Sequence, residues 1–402
     1  MKKFVLLSAF FVFIKLMSCH PVENYQAKEN KKCDSIPTKK ITVAAERIDE
    51  YLPKLKNKGV GLVVNHTAIV ENKHLVDTLL ALGVDVKKIF APEHGFRGKA
   101  DAGEHINDSI DAKTKLPIIS LYGNNKKPNS EMLSGIDIMI FDIQDVGVRF
   151  YTYISTMHYI MESCAEHNKT LLILDRPNPN GDYIDGPVLN PEFSSFVGKH
   201  QIPVVHGLTV GELALMINGE GWLSGGDTCQ LEIVKVKNYT HDSLYNLPVK
   251  PSPNLPNYTA IRLYPSLCFF EATVLSIGRG TEFPFQVIGY PDPELGDFSF
   301  TPHSTEGAKN PKLKGQTCYG KDLRNVAIRD TKFTLNYLIE FYQKAKFKDK
   351  FFERSRFMSL LAGTDQLEKQ IKQGMTETEI RNTWQEDLNQ YKTMRKKYLL
   401  YE

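Results

Sequence analysis

The chain has 402 residues, 42% of them hydrophobic and 24% charged, with a formal net charge of +3. That length accommodates two domains with cores of their own, and the composition excludes a broadly disordered or fibrous protein. So small a positive charge, with no long basic run or aromatic-basic platform, excludes a nucleic-acid partner.

Residues 1–18 read as a secretion signal: Lys2 and Lys3 precede a mostly apolar core over 4–17, interrupted by Lys15 and too short to stay as a spanning anchor. Leu16, Met17, Ser18 and Cys19 resemble a bacterial lipobox, in which Cys19 takes lipid on its sulfur and becomes the mature N-terminus. Acyl chains contribute about 0.8 kcal/mol per buried CH2, so a lipidated Cys19 predicts an exported lipoprotein held at a membrane, facing the periplasm or the cell surface. An ordinary cleaved signal with an incidental cysteine is the alternative. Residues 19–40 then form a polar tether. The other cysteines, Cys33, Cys164, Cys229, Cys268 and Cys318, are odd in number and lack a CxxC pair, so no disulfide framework is indicated. Cys164 and Cys268 lie in apolar surroundings and suit small buried core residues.

Further along, apolar runs over 59–64, 88–91, 117–121, 136–141 and 170–174 each end in polar or turn-forming residues. These ends are Asn65-His66-Thr67, the segment from Pro92 to Gly95, Tyr122-Gly123, the segment from Asp142 to Tyr153, and the segment from Asp175 to Gly181. Runs with so little alternation suit parallel strands covered on both faces, and helix-like segments over 73–82 and 153–167 make the intervening crossovers. The expected fold class is α/β, with ligands bound outside the carboxyl ends of a parallel sheet. The run ending in Asp142, Gln144, Asp145 and Arg149 is the most telling, because a buried strand there delivers polar groups to a site.

Past Gly207, Thr209 with Glu212 three residues later makes a capping box for an apolar helix reaching Asn218, and residues 231–236 read as a strand. The Pro- and Asn-rich stretch over 247–256 suits a crossover, which places a boundary between domains at 41–249 and 250–402. In the second domain, Phe270 to Thr273 and the segment 275–285 mix glycines, Arg279 and Glu282 with aromatic residues and would form a second wall of the site. Glycines on either side of Arg279 let its guanidinium aim at a carboxylate; an ion pair with Glu282 is the plainer alternative. Residues 333–341, with Phe333, Tyr337 and Phe341 on one face, and residues 376–399, capped by Thr376 and Glu379, read as packing helices without chemistry.

There is no GxSxG elbow, HExxH motif, Walker loop or GxGxxG turn. The chemistry at the expected mouth of the site is carboxylate and phenol: Glu93, Asp142, Asp145, Asp175, Glu271, Glu282, Tyr122, Tyr151 and Tyr153. That inventory suits glycoside hydrolysis, which needs one carboxyl to protonate the leaving oxygen and a second group as base, nucleophile or charge stabiliser. Glu93 is the candidate acid, with His94 beside it to orient it; a Glu93 that merely caps a turn is the alternative. Asp142, Asp145, Tyr151 and Glu271 are the candidates for the second role. His66, His94, Asp142, Asp145 and Asp175 also suit a divalent metal by type, but their spacing matches no metal signature, and pairing with Arg149 and Arg176 accounts for two of the aspartates.

Five motifs in order, APEHGFRG at 91–98, FDIQDVGVRFYTY at 141–153, DRPNP at 175–179, PSPNLP at 251–256 and GRGT at 278–281, resemble the NamZ-type exo-β-N-acetylmuramidases. The resemblance runs from about residue 59 to YLLY at 398–401, nearly all of the mature chain. It implies a Rossmann-like first domain, a smaller α+β second one, and removal of single N-acetylmuramic acid (MurNAc) residues from the non-reducing ends of peptidoglycan fragments. No cofactor is implied. It supports a catalytic Glu93 and leaves the second catalytic group open, the substrate's own acetamido group included. Muramic acid carries a lactyl carboxylate that glucosamine lacks, so an arginine clamp is expected, with Arg149 and Arg279 as candidates. His94, Tyr153, Arg176, Asn178 and Glu282 complete the expected substrate contacts. A lipoprotein that binds muropeptide sugars without turnover, or a metal-dependent hydrolase, is the competing reading.

Overall fold

The computed structural model describes Met1 and residues 40–93, 95–96, 109–123 and 125–402. The expectations placed on residues 2–39, Cys19 and Cys33 among them, and on His94 lie outside the described residues. Residues 40–402 form one compact unit.

Among the described residues twelve strands follow in chain order: β1 Val60–Val64, β2 Ile69–Val70, β3 Lys73–His74, β4 Val86–Ala91, β5 Ser109–Ile110, β6 Pro117–Ser120, β7 Ile138–Asp142, β8 Thr170–Leu174, β9 Gln230–Val234, β10 Val287–Tyr290, β11 Phe298–Phe300 and β12 Cys318–Asp322. Seven of them make one sheet in the order β5-β6-β4-β1-β7-β8-β9, parallel except for the edge pairing of β5 with β6. β10, β12 and β11 make a small antiparallel sheet in the second half, and β2 pairs with β3 as a short hairpin. The mixed α/β architecture with a second, smaller sheet domain is the one expected.

The central strands show why unbroken apolar runs were needed. Successive side chains point to opposite faces, so each run feeds two separate cores. Val60, Leu62, Val64, Ile138, Ile140, Leu172 and Leu174 enter one core, while Val63, Met139, Phe141, Leu171 and Ile173 enter the other. All are buried, each worth roughly 1.5–3 kcal/mol. The second core runs on into the C-terminal half, where Phe269, Phe270, Phe285, Leu338 and Phe341 join it.

The helix Val210–Gly219 starts with the expected capping box between Thr209 and Glu212. The segment foreseen as one helix over 376–399 is two, Glu377–Asn382 and Gln385–Arg395, because Trp384 leaves helical geometry (φ −118°, ψ 8°) to bury its ring. Phe333 precedes the helix Asn336–Lys344, which buries Leu338, Ile339 and Phe341. Chain closure involves the C-terminal tail. The Tyr401 hydroxyl donates to Asp175 Oδ2 (2.7 Å) and accepts from the Val236 amide (2.9 Å), while the Leu400 amide donates to Glu212 Oε1 (2.8 Å). Residues 400 and 401 therefore tie together the carboxyl ends of β8 and β9 and the helix Val210–Gly219.

Candidate active site

A cleft of about 490 Å3 opens beside the carboxyl ends of β4, β6 and β7, with its other wall built by the C-terminal half. Three strand ends supply its first wall. Glu93 follows β4, Tyr122 follows β6, and Phe150, Tyr151, Thr152 and Tyr153 come from the turn that carries β7 into the helix Tyr153–Glu166. The sheet rule thus delivers its polar groups where a ligand would meet them.

Thr152 Oγ1 donates to Glu93 Oε2 at 3.0 Å, and the Tyr122 hydroxyl bonds to the same carboxylate. Burial pushes the Tyr122 phenol up to about 12, with the Glu93 charge adding to it, so this phenol stays a donor across neutral pH. Tyr151 donates to the Pro251 carbonyl (2.8 Å), which ties the strand-end turn to the crossover segment. Its ring meets those of Tyr153 and Tyr264 edge-on at 5.0 and 5.9 Å, and burial raises both the Tyr151 and Tyr153 phenols well above the usual value. The result is a carboxyl group on an aromatic floor with two hydroxyls directed at it.

The second wall follows the helix Tyr258–Leu267. Tyr264, Cys268 and Glu271 line it, followed by Arg279 and Phe285, with Ser252 and Asn254 contributed by the crossover. Arg279 Nε donates to Glu271 Oε1 (2.7 Å), and Nη2 reaches the same oxygen at 2.5 Å. Burial alone would lower the guanidinium, but the Glu271 charge outweighs it and Arg279 sits above its ordinary value. Its partner is Glu271, not Glu282, which is exposed and lies outside the cleft lining.

Of the expected residues, the cleft brings together Glu93, Tyr122, Tyr151, Tyr153, Glu271 and Arg279, while Asp142, Asp145, Arg149, Arg176, Asn178 and Glu282 lie outside its lining. Asp142 is fully buried and held by Arg176 through two bonds, Nε to Oδ1 at 2.5 Å and Nη2 to Oδ2 at 2.9 Å. Asp145 accepts from the Gly147 amide at 2.7 Å, and burial pushes its carboxyl up to about 7. Arg149, expected as a clamp, is buried completely; its guanidinium donates to the carbonyls of Pro187, Ile202 and Leu361. With all three bonds to backbone, it joins segments of the fold instead of facing a ligand. Asn178 donates to Leu208 O (2.9 Å) and accepts from the Asn180 amide (2.8 Å). Gly147 makes room for it: φ is +75°, and a Cβ there would stand 2.1 Å from Asn178 Oδ1. His66 bonds to the Lys250 carbonyl at 2.9 Å. Among the described residues no three His, Cys, Asp or Glu side chains come together as a metal-binding group.

Comparison with known proteins decides the lineage. The family descriptions "Exo-beta-N-acetylmuramidase NamZ, N-terminal" and "C-terminal" match residues 60–259 and 262–401. The chain belongs to the NamZ family. It is 37% identical over 382 residues to peptidoglycan beta-N-acetylmuramidase NamZ of Bacillus subtilis (strain 168), covering 88% of this chain and 89% of that one. Crystal structures of two DUF1343 family proteins from Bacteroides fragilis share the fold, with TM-scores of 0.84 and 0.79 and identities of 47% and 30%. Each comparison covers 90% of this chain and 99% of the other.

Within this NamZ family member, several cleft residues escaped the sequence reading. Thr152 stands inside the motif at 141–153 and was legible as a neighbour of Tyr151. Tyr264 is the aromatic hub of the cleft floor, in edge contact with Phe150, Tyr151 and Phe285. Arg354 and Phe357, at the start of the helix Ser355–Ala362, had no signal at all, since nothing in a short charged segment marks it as a wall.

Proposed function

We propose that this protein is an exo-acting β-N-acetylmuramidase, a glycoside hydrolase that releases MurNAc from the non-reducing ends of peptidoglycan fragments. The observation that carries the reading is the Glu93 carboxyl at the cleft mouth of a NamZ-family fold, with Thr152 and Tyr122 bonded to it and a second carboxylate, Glu271, in the same cleft. Glu93 is the general acid, protonating the glycosidic oxygen as the bond breaks. Thr152 and Tyr122 hold its carboxyl in one orientation. The aromatic floor of Tyr151, Tyr153 and Tyr264 gives a sugar ring an apolar face to lie on. Glu271, held by Arg279, supplies negative charge near the developing oxocarbenium ion.

We also propose export by the signal at 1–18 and attachment to a membrane through lipid on Cys19, on the strength of the lipobox-like sequence. Among the described residues no helix is long and apolar enough to cross a membrane.

The test is release of free MurNAc from a MurNAc-GlcNAc disaccharide by protein lacking residues 1–19, with and without EDTA and beside Glu93→Gln. Glu93→Gln keeps the shape and loses the proton, so turnover falls by at least about a hundredfold while the fold persists. Near-normal turnover in the variant would remove Glu93 from the acid role. Saturable sugar binding without release by the unaltered protein would make it a binding protein instead, and loss of release with EDTA would point to a metal-dependent hydrolase.

A further inference from the structure

An anionic ligand in a cleft that holds Glu93 and the Glu271–Arg279 pair is best met by a cation that no carboxylate already engages. The partners of the nearby arginines separate them. Arg149 is spent on three backbone carbonyls beneath the surface, and Arg279 is engaged by Glu271. Arg354 also lines the cleft, is exposed, and makes no ion pair among the described residues. Its neighbour Glu353 pairs with Lys312 at 3.5 Å instead.

Arg354 is also well placed to act as a fixed recognition group. Its amide donates to the Ala272 carbonyl at 3.0 Å, which pins its backbone to the turn Cys268–Ala272 that carries Glu271. Its guanidinium carbon lies 4.3 Å from the centroid of the Phe357 ring, and Phe357 lines the same cleft. A guanidinium stacked on an aromatic face keeps its in-plane N–H fork open, which matches the two oxygens of a carboxylate.

We propose that Arg354 is the specificity-determining residue for the 3-O-lactyl carboxylate of the terminal MurNAc, with Phe357 fixing the plane of its guanidinium. The assignment rests on the muramidase reading above. Arg354 provides a positive charge for the acid-bearing sugar in a cleft whose other arginine, Arg279, is already engaged by Glu271.

The experiment compares kcat and KM for 4-nitrophenyl N-acetyl-β-muramide and for the same glycoside with its lactyl acid converted to the methyl amide. Unaltered protein, Arg354→Ala, Arg354→Lys and Phe357→Ala are measured, with melting temperatures as a folding control. The expected result is that Arg354→Ala lowers kcat/KM for the acid by about 10- to 100-fold, mainly through KM, and leaves the amide unchanged. Arg354→Lys restores part of the loss, and Phe357→Ala gives a smaller loss in the same direction. An acid-to-amide ratio that Arg354→Ala does not alter, or an equal loss on both substrates, overturns the assignment while leaving the enzymatic activity standing. Turnover of neither glycoside by the unaltered protein would overturn the muramidase reading and this proposal with it.

Discussion

Thr152 and Tyr122 reach the same carboxylate from different strand ends, so Glu93 is positioned by two segments that are held apart by the sheet itself. Removing one hydroxyl loosens that arrangement without removing the acid. Tyr122→Phe is expected to lower kcat about 5- to 10-fold with KM little changed, measured on the disaccharide. Asp145 is a different case, since it lies off the cleft and its carboxyl is raised from 3.8 to about 7 by burial. The folded state then keeps a proton that the unfolded state releases. Its contribution is present in full below about pH 4 and is lost as pH rises through about 7, a change of up to about 4 kcal/mol. Asp145→Asn removes that loss: relative to the unaltered protein, the variant should melt higher at pH 8 than at pH 5, with hydrolysis intact. A collapse of turnover in Asp145→Asn would restore it to the list of catalytic groups.

Among the elements, β1, β7 and β8 were the most legible because each must be apolar on both faces, and a run of five such residues bounded by polar ones fits a doubly covered strand better than a short helix. What lies just beyond them was harder to assign. The carboxyl end of a parallel sheet holds ligands, but it must also close its own rim, and the same residue types serve both ends. Asp142 with Arg176 and Arg149 with its three carbonyls serve the rim; Glu93 and Tyr151 serve the cleft. Sequence gives the distance of a residue from its strand but not the identity of the chain segment opposite it, which in the case of Arg149 includes Leu361, 212 positions away. The second wall was partly visible through the glycines around Arg279, whereas Arg354 depends wholly on how the C-terminal helices stack. The rim reading has its own check. Asp142→Asn leaves Arg176 buried without its counter-charge, and denaturant unfolding should show a loss of about 3–5 kcal/mol.

Across the whole molecule, buried histidines and raised carboxyls act in opposite directions. Burial, with neighbouring positive charge, pulls His158 down to about 4 and His206 to about 3 from 6.5, and His200 goes well below. Between those values and 6.5 the unfolded chain binds the protons, so this stabilisation is present above about pH 6.5 and is lost on acidification. Asp145 and Asp175, raised to about 7 and about 6, favour the fold at low pH. Three histidines displaced this far outweigh two carboxyls. The melting temperature is therefore expected to fall as pH drops from 7 to 5; an unchanged or rising value over that range would mean that the two aspartates dominate.

The tail at Leu400 and Tyr401 gives the fold a timetable. Asp175 and its hydroxyl partner are 226 positions apart, so a nascent chain lacks this contact across the carboxyl ends of β8 and β9 until residues 400 and 401 have been made. The N-terminal half lacks these contacts while the second half is being made, and over that interval it is more open to chaperones and proteases. A single Tyr401→Phe change, which removes the hydroxyl that links Asp175 to the Val236 amide, should accordingly appear in pulse-chase proteolysis as a longer sensitive interval.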